Sequence, residues 1–261
     1  MKNNITFLFV VLCFFTATNP LYAQWIQTSG PYGGEVNSFA VLGTNLFAGI
    51  SRGGVFLSTN NGSLWTEVNS GLTATDVQSL AVSGTNLFAG TLGGGVFLST
   101  NNGATWAAVN SGLTGTDVYS LAVSGANLFA GTSIGVFRST NNGTQWTVAN
   151  TGLTHVNVFA VSGANLFASD GSSNVFRSTD NGTSWIAVTS SWFGNSVAAL
   201  VANSTNLFVG TSGFGAFRST NNGTSWTSIN PASGSSDVSS LAVSGTNLLA
   251  GYGNGGVFLS T

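Results

Sequence analysis

Charge is what this sequence lacks most. Only 5% of its 261 residues are Asp, Glu, Lys or Arg, against about 25% in ordinary soluble domains. Five basic residues cannot build the patch that neutralises a run of phosphates, which excludes nucleic acid as a partner. No cationic amphipathic segment is present to lie on a membrane surface. A single histidine, His155, leaves His-based metal clusters and Ser-His-Asp triads without support. A single cysteine, Cys13, excludes an internal disulfide framework. The 36 glycines and 3 prolines follow no three-residue period, so a collagen helix is excluded. The longest apolar run, ITFLFVVLCFF, has 11 residues, too few for a helix that crosses a bilayer.

That run belongs to a leader. Lys2 supplies a positive start, the run spans residues 5–15, and NPLYA precedes a cleavage point after Ala23. Residues 1–23 therefore read as a signal peptide, which places the chain outside the cytoplasm, secreted or at the cell surface. Cys13 follows Val11 and Leu12 rather than the small residues expected before a lipidated cysteine. It is discarded with the leader. The exported chain keeps four arginines against seven acids, a net charge of −3. It reads as a cysteine-free monomer, and no cofactor motif is present. Apolar residues make up 43% of the sequence, enough to fill a core rather than leave the chain disordered.

The rest is one unit repeated. VNSFAV begins at Val36, VQSLAV at Val77, VYSLAV at Val118, VNVFAV at Val156, VAALVA at Val197 and VSSLAV at Val238. The spacings are 41, 41, 38, 41 and 41 residues. Each full unit runs through an apolar stretch, the turn SGTN or a relative of it, LFAGT, a Gly-rich loop, VFLST, the turn NNG and a stretch that opens on Trp. Four short β-type runs separated by turn signals, repeated about every 40 residues, predict propeller blades. The fold class is all-β: a six-bladed propeller of four-stranded antiparallel blades over residues 24–261.

The sixth unit stops at Thr261, before its turn and its Trp. The 12 residues Gln24–Glu35, QWIQTSGPYGGE, resemble TWAAVNSGLTGTD of the second unit: a Trp near the start and an acid before the next Val. The N-terminal strand is therefore expected to pair beside Val257–Ser260 and complete the last blade, which removes open sheet edges. A gene that continues beyond Thr261 is the alternative.

STNNGSLW (58–65), STNNGATW (99–106), STNNGTQW (139–146), STDNGTSW (178–185) and STNNGTSW (219–226) resemble the Asp-box, or BNR, repeat, Ser-x-Asp-x-Gly-x-Thr-Trp. The resemblance extends over nearly the whole exported chain. It implies a hairpin between the two outer strands of a blade, with the acidic side chain bonded to the turn and the Trp packed beneath. Here only Asp180 keeps the acid; Asn60, Asn101, Asn141 and Asn221 replace it, and Asn makes the same short-range bond. The family includes sialidases, sortilin-type receptors, photosystem assembly factors and xyloglucan-cleaving enzymes, so it fixes a fold rather than an activity. The sequence style also resembles secreted repeat proteins of Bacteroidetes-like bacteria.

Sialidases of this fold need three converging arginines. Arg138, Arg177 and Arg218 instead occupy one repeat position, held elsewhere by Leu57, Leu98 and Leu259, which suggests a blade surface covered by arginine stems. Glu35 and Glu67 sit in framework positions, and no carboxylate pair is marked as a glycosidase site. A degenerate sialidase- or glycosidase-like enzyme is therefore the lesser reading, beside a purely structural segment of a longer surface protein. Glu35, Asp76, Asp117 and Asp237, with His155 and Ser196 in the same position, would ring one mouth of the channel. They are weak candidates for calcium, against the simpler reading that the acids end turns. The sequons at Asn61, Asn142, Asn181 and Asn222 are explained by hairpin chemistry, whereas Asn203 lies outside a turn of that kind.

Where the repeats disagree, function is expected. The loops leading into each blade and the loops between second and third strands share one face, and there the sequence varies. Tyr32, Trp192, Phe193, Phe214 and Tyr252 fall in these loops. Flat aromatic rings suit a glycan or a protein partner. The expected function is non-catalytic binding of one of these on the loop-rich face.

Overall fold

The computed structural model describes residues 28–149, 153–188, 196–230, 236–253 and 256–260. The leader and the expected pairing strand at residues 24–27 lie outside them. The fold is all-β: six antiparallel sheets follow one another as the six blades of a β-propeller. In five blades four strands pair in chain order; the sixth has three among the described residues. Blade 2 shows the pattern with Val77–Ser83, Asn86–Thr91, Gly95–Ser99 and Ala107–Ala108. The first strands of the blades are Val36–Leu42, Val77–Ser83, Val118–Ser124, Val158–Ser162, Val197–Ala202 and Val238–Ser244. From blade 1 to blade 5, each packs on the first strand of the blade that follows it in the chain, which places them innermost.

Alternation of apolar residues directs the two faces of each blade to its two neighbours. Ala81, Phe88 and Val96 of blade 2 meet Val118, Leu121, Leu128, Ala130, Phe137 and Trp146 of blade 3 in one buried cluster. Glycine in the second strand makes room for this contact. A Cβ on Gly49 would come within 2.6 Å of Val77, and one on Gly90 within 2.7 Å of Val118. A bulge near the start of the first strand turns a serine to the neighbouring blade. Leu80 N donates to Ser38 Oγ, and Leu121 N donates to Ser79 Oγ, each at 2.9 Å.

Between third and outer strands, the five tryptophan-bearing turns are built alike. The serine hydroxyl is buried, accepts from the amide of the glycine four residues on, and donates to the Asn or Asp side chain two residues on. In blade 1 these are Gly62 N to Ser58 Oγ and Ser58 Oγ to Asn60 Oδ1, both 2.9 Å. That Oδ1 in turn accepts from Leu64 N at 2.9 Å. Asn61, Asn102, Asn142, Asn181 and Asn222 all have φ of 55–56°, a left-handed conformation that Asn tolerates. Asp180 makes the same bonds, and hydrogen bonds from Ser184 and Ser178 hold its carboxyl down to about 2.

Trp106, Trp146, Trp185 and Trp226 are buried as expected. Trp65 departs: it is only half-buried, and its Nε1 finds no partner among the described residues.

Candidate functional site

Hydrogen bonds between loops build the variable face. The residue that follows the second strand donates its amide to the carbonyl of the residue that leads into the same blade. Examples are Ser51 N to Glu35 O at 2.9 Å, Leu92 N to Asp76 O at 3.0 Å and Ser212 N to Ser196 O at 3.1 Å. Lead-in loops and second-to-third-strand loops therefore do share one face.

Of the five aromatic residues expected there, the structure describes three. Tyr32 is 72% exposed and Phe214 is 47% exposed. Tyr252 is not a loop residue. It ends the strand Asn247–Tyr252, is only 5% exposed, and meets the Phe258 ring edge-on at 5.0 Å. Burial also raises its phenol pKa. The repeat contained the reason: Tyr252 occupies the position of Thr91, Thr132 and Thr211, the buried ends of the other second strands. Trp192 and Phe193 lie outside the described residues.

Ile134 was missed. It occupies the same loop position as Phe214, just before the positive-φ glycine that opens the third strand, and it is 48% exposed. Gly53 and Gly94 stand there in blades 1 and 2. Asn230 was missed as well. Its Nδ2 donates to Phe214 O at 2.8 Å and its Oδ1 accepts from Ala216 N at 2.6 Å, so it clamps the loop that carries Phe214. Asn69 and Asn110 clamp the corresponding loops of blades 1 and 2. Gly215 has φ 81°, and a Cβ there would fall 1.9 Å from Asn230 Oδ1. Asp170 folds its own loop by accepting from Ser172 and Asn174. Arg52, at the tip of the blade 1 loop, has φ 61°.

Two of the four rim acids serve the framework. Asp76 Oδ1 accepts from Ser51 Oγ at 3.2 Å and Gln78 Nε2 at 2.7 Å, and Asp117 Oδ1 accepts from Gly93 N at 2.9 Å. Each thus ties its blade to the loop of the preceding one. Among the described residues no three His, Cys, Asp or Glu side chains gather to hold a metal ion. His155 lies against Tyr119, ring centroids 5.0 Å apart. The arginines also have a specific task. Arg138 Nη1 donates to Asn181 O at 3.0 Å and Arg177 Nη1 to Asn222 O at 3.4 Å, so each reaches the turn of the next blade instead of merely covering apolar surface.

No family model matches the chain. No curated protein matches it either. Solved structures do. The chain is similar to YCF48 bound to D1 peptide, with TM-score 0.73 and 14% identity over 90% of this chain and 81% of that one. It is similar to the extracellular domain of a one-component system from B. thetaiotaomicron, with TM-score 0.72 and 15% identity over 86% of this chain and 32% of that one. It is also similar to the GH74 xyloglucanase from Xanthomonas campestris, with TM-score 0.70 and 16% identity over 86% of this chain and 44% of that one. These likenesses show the fold alone. The chain spans under half the length of the latter two. Among the described residues no helix is long and apolar enough to cross a membrane.

Proposed function

We propose that this chain is an exported, non-catalytic propeller that binds a protein partner through its loop-rich face. The observation that carries the reading is the exposure of Tyr32, Ile134 and Phe214 on loops of that face, while residues that match from blade to blade are largely buried. An aliphatic side chain among the aromatics suits a peptide surface better than a sugar ring, which stacks on flat faces. Support against catalysis comes from the engagement of the acids. Glu67, Asp76, Asp117, Asp170 and Asp180 each accept hydrogen bonds that shape a turn or a loop. Asp180, held ionised, suits a turn and not a general acid, which needs a raised pKa. A likeness to a propeller solved with a peptide is consistent with the same use. The five turns support placing the chain among Asp-box propellers, and the composition of residues 1–23 supports export by a signal peptide.

The test is to pan a displayed random-peptide library on the exported chain and to screen the same chain on a glycan array. Enriched peptides should bind at least about 30-fold more weakly to Phe214→Ala or Tyr32→Ala, as expected for anchor residues, with melting temperatures unchanged. Hits on glycans alone, or peptide binding indifferent to both substitutions, would overturn the reading.

A further inference from the structure

Two arginines cross from one blade to the turn of the next in the same way. Arg138 leaves the third strand of blade 3 and donates from Nη1 to Asn181 O in blade 4. Arg177 of blade 4 does the same to Asn222 O in blade 5. Nε of each is buried, so the guanidinium is seated in the joint and its Nη1 end meets the turn. The acceptor is the same carbonyl in both cases, that of the left-handed Asn at φ 56°. A joint between two blades can therefore seat a guanidinium.

Between blades 1 and 2 the arginine is missing. Leu57 stands at the position of Arg138 and Arg177. Its side chain packs on the apolar cluster that contains Phe97 and Trp106 and has no donor to offer the turn. Asn102, the counterpart of Asn181 and Asn222, has φ 55°, so its backbone turns as theirs does. This joint has instead an open cleft of about 570 Å³, bordered by Leu42, Thr44, Asn45, Thr85, Thr100 and Asn102. Asn45 and Asn102 are the counterparts of Asn127 and Asn181. Asn127 Nδ2 lies 3.5 Å from Asn181 Oδ1, in the joint that Arg138 crosses. The cleft thus lies where the sister joint holds its guanidinium.

The lining suits an arginine brought from outside. Leu42 replaces the serine found at Ser83, Ser124 and Ser162, and it gives an apolar wall for an aliphatic stem. Thr44, Asn45, Thr85 and Thr100 bring hydroxyl and amide oxygens. Thr85 stands where the arginine-filled joint between blades 3 and 4 has Ala164. A guanidinium carries five donors in a planar fork, so it can use several such oxygens at once, whereas an ammonium is a compact point charge. No basic residue borders the cleft to repel it.

We infer that the cleft between blades 1 and 2 is a second binding site, which takes the arginine side chain of a protein partner in the place that Arg138 and Arg177 fill from within. The cleft is larger than one side chain, which leaves room for the main chain that carries it. It opens beside the tryptophan-bearing turns. These fall at the opposite ends of the strands from the loops that carry Phe214, so the site is independent of the face proposed above.

The test is a titration of the isotope-labelled exported chain with N-acetyl-arginine amide, read by amide chemical shifts. N-acetyl-citrulline amide is the probe of the same shape without the charge. Saturable shifts with Kd about 1 mM are expected at Thr44, Asn45, Thr85 and Asn102, with citrulline at least about tenfold weaker. A GGRGG peptide should bind at least as tightly as the arginine amide. Leu57→Arg supplies the guanidinium from the chain itself and should weaken binding at least about tenfold, and Leu42→Ser, which removes the apolar wall, about threefold. Sister blades carry both of these residues at the same positions, so the spectra of the variants should overlay that of the parent away from the joint. Shifts that never saturate, shifts centred on another joint, or equal binding of citrulline would each overturn the assignment. So would binding unchanged in either variant, and a peptide weaker than the amide would give the site to a free amino acid instead.

Discussion

Trp146 offers the sharpest test of how the blades are held together. Its side chain is 1% exposed and lies between blades 2 and 3, against Phe88, Val96, Leu121, Leu128 and Phe137. Its Nε1 donates to Val109 O at 2.7 Å. Trp146→Ala removes the ring from a packed site and strips that carbonyl of its donor. Truncating a buried Trp costs about 3–5 kcal/mol, and an unsatisfied buried acceptor costs about 1–3 kcal/mol. Part of the second figure is contained in the first, so about 4–6 kcal/mol is the expected total. In a domain of this size each kcal/mol lowers the melting temperature by about 2–4 °C, which makes a drop of roughly 8–24 °C. Trp146→Phe keeps most of the apolar contact and loses the donor, so it should fall in between. Val148→Ala is the control: it is two residues away on the outer strand and exposed, and should change stability by less than about 0.5 kcal/mol. Thermal melts followed by circular dichroism, with urea titrations to check that the slope is unchanged, would measure all three. If Trp146→Ala melts within a degree or two of Val148→Ala, indole packing is not what joins the blades.

Ser219→Ala should cost about 1–3 kcal/mol, because the buried Gly223 amide loses the Ser219 Oγ it donates to at 2.8 Å; a urea midpoint equal to that of the parent would contradict this. Asp180→Asn should be nearly neutral at pH 7, since four sister turns carry Asn. The carboxyl is held at about 2 against an ordinary 3.8, so its small contribution is complete above pH 4 and disappears as pH falls toward 2. The melting temperature of the parent should therefore fall relative to that of the variant over that window, and a constant difference would refute it. Gly215→Ala should destabilise more than Gly84→Ala. Both need a left-handed residue, at about 1–2 kcal/mol, but only at Gly215 does the new methyl overlap a neighbour, Asn230; nothing lies within 4 Å of it at Gly84. Equal losses in a denaturation series would show that the asparagine clamp yields freely.

Blade number and strand order were legible because spacing encodes them. A repeat near 40 residues with four turn signals admits few other architectures, and the burial of four tryptophans follows from their common place in it. The site was legible only where loop and strand could be told apart. Phe214 sits after a strand has ended, and it is exposed. Tyr252 looked like a loop aromatic because GYGNGG is rich in glycine, yet it aligns with a buried threonine. Alignment by repeat position outweighs local composition there. Ile134 carries no flat ring, so nothing in its residue type marks it as a binding side chain. The roles of Arg138, Arg177 and Asn230 depend on partners some 16–45 residues away in sequence, across a blade or a joint, and such pairs leave no local pattern.

The scarcity of charge bears on recognition as well as on the fold. Among the described residues the contacts that shape turns and loops are made by serine, asparagine and backbone groups, with ionised side chains in few of them. Four of five turns have exchanged the acid for its amide without altering the bonds: Asn60, Asn101, Asn141 and Asn221 accept from the same amide as Asp180 does, at 2.8–2.9 Å. A molecule built this way has little long-range field with which to steer a partner. Association would then run at the slower rate of uncharged encounters, about 10⁵–10⁶ M⁻¹s⁻¹, and would vary little with salt. Selectivity would have to come from the shape of the loops and from the few apolar side chains they hold out. That is why the placement of Phe214 by Asn230 matters more to the proposed function than any charged residue on the same face.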